Sequence, residues 1–79
     1  ISYQIEKASK LRAELKRYAD LIQAATNEQT ILLDKHANAM FSNNELQAKK
    51  YLLKISANEH LIDAYKLCIK SLKLEVEGV

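Results

Sequence analysis

Phe41-Ser42-Asn43-Asn44-Glu45 decides how this chain folds. Serine and asparagine end one helix and start another because their short side chains bond the backbone groups that a helix terminus leaves open. Ser42 and Glu45 also have capping-box spacing, in which each side chain bonds the other residue's backbone N–H. On either side nothing interrupts the backbone: the sequence has no proline, and its single glycine is Gly78, so Ile1 to Glu77 contains no strong helix breaker. Two long helices are predicted, over about residues 2–40 and 44–76. With two or three residues between them, the second must return beside the first. The expected fold is all-α, an antiparallel two-helix hairpin of roughly 60 Å at 1.5 Å per residue.

Working back from the turn, Ile1, Ala8, Leu11, Leu15, Tyr18, Ile22, Ala25, Leu32 and Ala39 alternate in steps of three and four, with Gln4, Gln29 and His36 at the remaining positions. This is a heptad seam. Its phase runs unchanged through Thr26-Asn27-Glu28-Gln29, where a second capping signal offers the alternative of a three-helix bundle broken near Thr26.

The second helix carries two apolar stripes. A wide one comprises Ala48, Tyr51, Leu52, Ile55, Ile62, Tyr65, Ile69, Leu72 and Val76, joined by Leu61 and Cys68. It is expected to pack on the first helix, against Leu11, Leu15, Tyr18, Ile22, Leu32 and Met40. The other stripe repeats every seven residues as Leu46, Leu53, Leu67 and Leu74, with His60 in the fifth place and Ala57, Ala64 and Ser71 between. One helix cannot cover both, and a solvated row of leucines is the kind of patch that marks an interaction surface.

The 79 residues 1–79 form one domain at most, and a domain of that size buries little surface without metals, disulfides or association. Beginning at Ile1, the chain is expected to be a piece of a larger protein. Cys68 is the only cysteine, which fits a reducing, intracellular and cytoplasmic setting. No apolar run approaches the roughly 20 residues that span a bilayer, so a soluble domain is expected. Twelve Lys and Arg against ten Asp and Glu give a net charge of +2, far from a dedicated nucleic-acid binder.

Catalytic signatures are missing. His36 and His60 are the only histidines, and in the hairpin they stand on the order of 16 Å apart along the axis, too far for a shared metal. Each is read as a polar insert in a seam. Cys68 sits in the wide apolar stripe and is read as core. There is no Gly-x-Ser-x-Gly and no phosphate-binding glycine loop. The all-helical chorismate mutases have a similar helix plan but need several arginines at one site; Arg12 and Arg17 are the only two here, and they fall on different faces. No enzyme, cofactor or metal site is expected.

The expected function is a protein-interaction or oligomerisation module of an intracellular scaffold, trafficking or signalling protein. Its partner surface is Leu46, Leu53, Ala57, His60, Ala64, Leu67 and Leu74, meeting either a second copy, which would complete a four-helix bundle, or another protein. In outline such a hairpin resembles the effector hairpins that bind small GTPases, without any motif of that family. The alternative from a different class is an anionic-membrane or nucleic-acid binder, using Lys10, Lys16, Arg17, Lys66, Lys70 and Lys73 at the open end of the hairpin.

Overall fold

The computed structural model describes residues 2–78. They form an all-α helical hairpin of α1, Ser2–Phe41, and α2, Glu45–Glu77. The expected bounds are met to within one residue at each end, the usual uncertainty of a helix terminus. No break occurs near Thr26. There the Thr30 hydroxyl donates to the Thr26 carbonyl at 3.3 Å, and the Gln23 amide donates to Asn27 Oδ1 at 3.0 Å. The polar cluster is thus engaged along the helix surface instead of capping a new helix.

The reversal uses the asparagines, not the expected Ser42–Glu45 box. Ser42 N–H still bonds the Asn38 carbonyl at 3.0 Å, so Ser42 closes the last turn of α1. Asn43 takes a left-handed φ of 55°, which asparagine tolerates better than other non-glycine residues. Its N–H donates to Met40 O at 3.1 Å, and that of Asn44 donates to Ala39 O at 2.9 Å. This is the bond pair of a Schellman stop. Asn44 then starts α2, its Oδ1 accepting from Gln47 N–H at 3.1 Å. One residue therefore serves both termini, because the short Asx side chain reaches the third N–H of the new helix while the backbone closes the old one.

The helices pack along one seam. On α1 the described heptad side chains from Ala8 to Ala39 are all buried or half-buried; Ile1 and the side chain of Gln4 lie outside what is described. On α2 the matching set is Ala48, Tyr51, Ile55, Asn58, Ile62, Tyr65, Ile69, Leu72 and Val76, a strict three-four alternation. The seam is narrower than the wide stripe. Leu52 and Leu61 fall on its flanks and are about half exposed, and Met40 is 59 % exposed because its neighbour Ala39 occupies the seam. Among the described residues the buried ones are Ala25, Leu32, Ala39, Ala48 and Ile55; three are alanines, which let the helices approach closely.

Register is fixed by a polar layer near the middle. Asn58 Nδ2 donates to the Ala25 carbonyl at 2.8 Å and to Gln29 Oε1 at 2.9 Å. Gln29 Nε2 in turn donates to the Ile55 carbonyl and to Glu59 Oε1, each at 3.3 Å. Sliding α2 by one turn would leave these half-buried amides unpartnered. Toward the open end, the Tyr18 and Tyr65 rings meet at 5.9 Å with a 49° tilt. The rod measures 63 × 14 × 12 Å. Its accessible surface is 6152 Å², against roughly 4,900 Å² expected of a compact monomer of this mass.

Candidate protein-interaction surface

Seven-residue spacing keeps side chains on one side of a helix wound on a heptad seam, and each helix has one row that points directly away from that seam. On α2 this outer row is Leu46, Leu53, His60, Leu67 and Leu74. Its four leucines are between 64 % and 81 % exposed. His60, Ala57 and Ala64 are exposed as well, so all seven residues singled out from sequence lie on the free side of α2. The corresponding row of α1 is Glu6, Ala13, Asp20, Asn27, Asp34 and Phe41, also exposed; it is polar at four of its six positions, and its one large apolar side chain, Phe41, stands at the turn end.

Other exposed apolar residues do not form a comparable row. Ile5, Leu33 and Met40 share a flank of α1, but Arg12, Ala19 and Thr26 come between them. At the turn end, Met40, Leu52 and Ala48 line a shallow groove with His36, Glu45 and Lys49, and Phe41 beside it is 87 % exposed. The sequence reading missed this patch; the signal was that Met40 and Phe41 directly follow the seam residue Ala39 and so must leave the seam.

The six basic residues of the open end are all exposed, yet they do not act alike. Lys16 pairs with Asp20 at 3.6 Å, and Arg17 with Glu14 at 2.8 Å. The Arg17 guanidinium also lies 4.7 Å from the Tyr18 ring centroid. Its hydrogen bond to Glu14 lowers that carboxyl below its ordinary range and raises the arginine. Among the described residues, Lys10, Lys66, Lys70 and Lys73 make no ion pair, and Glu6, Asp63 and Glu75 are interspersed with them.

His36 is half-buried in the seam, whereas His60 lies on the outer side of α2. No group of three His, Cys, Asp or Glu side chains with metal-ligating proximity occurs among the described residues. Cys68 is a free, half-buried thiol at the edge of the seam. No described helix is long and apolar enough to cross a membrane. No protein-family model matches the chain, and no curated protein or solved structure shows significant similarity to it.

Proposed function

We propose that this hairpin is a non-enzymatic association module, whose working surface is the outer row of α2 and whose role is to hold proteins together. The observation that carries this reading is the row itself: four leucines on the free side of a helix whose other side is already packed. Burying an exposed leucine side chain contributes about 1.5–3 kcal/mol, so leaving four in water forgoes a large part of what a domain this size could gain. The thin seam supports the same reading, since only five of the described residues are buried and small domains with small cores are commonly completed by association.

Light scattering over a concentration series tests it. The expected result is a mass of twice the 9.0 kDa chain, returning to one chain in Leu53→Glu/Leu67→Glu while helical content by circular dichroism is retained. A dimer that survives the double substitution would remove the leucine row as the seam. A wild-type chain that stays monomeric at every concentration would remove self-association.

A further inference from the structure

We infer that the outer row of α2 pairs with the same row of a second copy, antiparallel, across a two-fold axis that passes beside His60. This rests on the association reading and specifies its partner and geometry. The row is palindromic about its centre: Leu46 and Leu74 lie equally far from His60, and so do Leu53 and Leu67. Antiparallel pairing centred there sets Leu46 against Leu74 of the second copy, Leu53 against Leu67, and His60 against His60. Every leucine meets a leucine. A shift by one heptad would instead push the imidazole among leucines, where a polar ring lacks a partner.

Two further features agree. His60 lies within one residue of the midpoint of α2, Glu45–Glu77, so two copies overlap along the whole helix. Ala57 and Ala64 flank His60 on one side, and the same axis brings Ala57 to within one residue of the level of Ala64 of the second copy, giving small residues where the helices are closest. Lys50 stands level with Lys70 of the second copy, at the rim where both reach water.

The contact is large enough. From Leu46 to Leu74 the row spans about 42 Å, and pairing over that length removes on the order of 700 Å² from each copy, close to the roughly 800 Å² per partner of a standard interface. It also closes. The outer row of α2 is opposite the seam, so the four helices lie in a row, α1 and α2 of one copy beside α2 and α1 of the next. Each end of that row shows the outer side of α1, where a third copy finds no row of leucines and only Phe41 beside the turn.

Disulfide trapping in a Cys68→Ser background tests the arrangement. A disulfide requires Cβ atoms about 3.8 Å apart, while antiparallel pairing holds the two Leu53 positions about 21 Å apart. Under mild oxidation His60→Cys is expected to link to itself. Leu53→Cys is expected to link when mixed with Leu67→Cys, about tenfold more than Leu53→Cys alone. Self-linking of Leu53→Cys as efficient as that of His60→Cys would show parallel pairing and overturn the inference. The mass of the reduced variants separates the two levels. A dimer with neither expected link overturns the antiparallel geometry and leaves association standing; a monomer overturns both.

Discussion

The outer rows of the two helices occupy equivalent places and have opposite chemistry. Both helices devote one heptad seam to each other, and both point a second row of every-seventh residues away from it. On α1 that row is Glu6, Ala13, Asp20, Asn27 and Asp34, with Phe41 alone at the turn end; on α2 it is Leu46, Leu53, His60, Leu67 and Leu74. The difference is one of valence. A hairpin with two polar outer rows has no reason to associate, and one with two apolar outer rows would stack without end. A hairpin with one of each is suited to a single partner.

The largest effect is therefore expected from erasing the difference. Asp20→Leu/Asn27→Leu/Asp34→Leu gives α1 a leucine row of its own, and assembly should become open-ended, with scattering mass rising far beyond a dimer as concentration increases. If the triple variant keeps the wild-type mass at all concentrations, apolar outer rows do not drive association in this fold.

Next in size is the contrast between inner and outer side chains on the same helix. Ile55 is 6 % exposed in the seam and Leu53, two residues away, is 73 % exposed. Ile55→Ala should destabilise the hairpin by about 2–3 kcal/mol, near the low end for a buried aliphatic because the seam is thin. Leu53→Ala should leave the monomeric hairpin unchanged within about 0.5 kcal/mol. Urea unfolding at low concentration, where chains are monomeric, separates the two. At high concentration Leu53→Ala should forfeit part of the stabilisation that association gives the wild type, making its stability less dependent on concentration.

The sequence makes this architecture legible because its two strongest signals, heptad phase and absence of breakers, are local. The α1 seam from Ala8 to Ala39 follows from spacing alone. Two features did not follow. Asn58 completes the strict alternation of α2, yet hydropathy ranks asparagine as surface, and the wide stripe passed over it in favour of Leu52 and Leu61. Only the cross-helix bonds to Gln29 and Ala25 show why a polar residue belongs there. The choice between Ser42 and Asn44 as the N-cap was also hidden, since both are good capping residues and the left-handed φ of Asn43 decides between them. The outer rows were half legible: the leucines stand out, but that α1 answers them with a row polar from Asp20 to Asp34 depends on knowing where each seam lies.

Asn58→Ala should have a smaller effect than Ile55→Ala, about 1 kcal/mol, since it removes two hydrogen bonds but leaves Gln29 able to turn toward water. Its sharper consequence is register. With the layer gone, slipped pairings of the seam are less strongly opposed, and spin labels at Gln23 and Asp63 should report a broadened distance distribution. A distribution as narrow as in the wild type would show that the apolar seam sets the register unaided.

The smallest effect belongs to the ion pairs, and it again separates the helices, because both ion pairs among the described residues lie on α1. Glu14 precedes Arg17 by three residues, the favourable order on a helix, and the hydrogen bond from Arg17 lowers its carboxyl. A carboxyl whose folded pKa is lowered adds stability that is present above its unfolded pKa and is lost as pH falls through the folded one. Both groups are solvated, so the gain is small. Glu14→Gln should lower the thermal midpoint barely measurably at neutral pH and not at all in acid well below the ordinary glutamate range. A clear loss of dimer in Glu14→Gln would contradict the division of labour between the helices, since it would mean that the polar side of α1 takes part in holding two copies together.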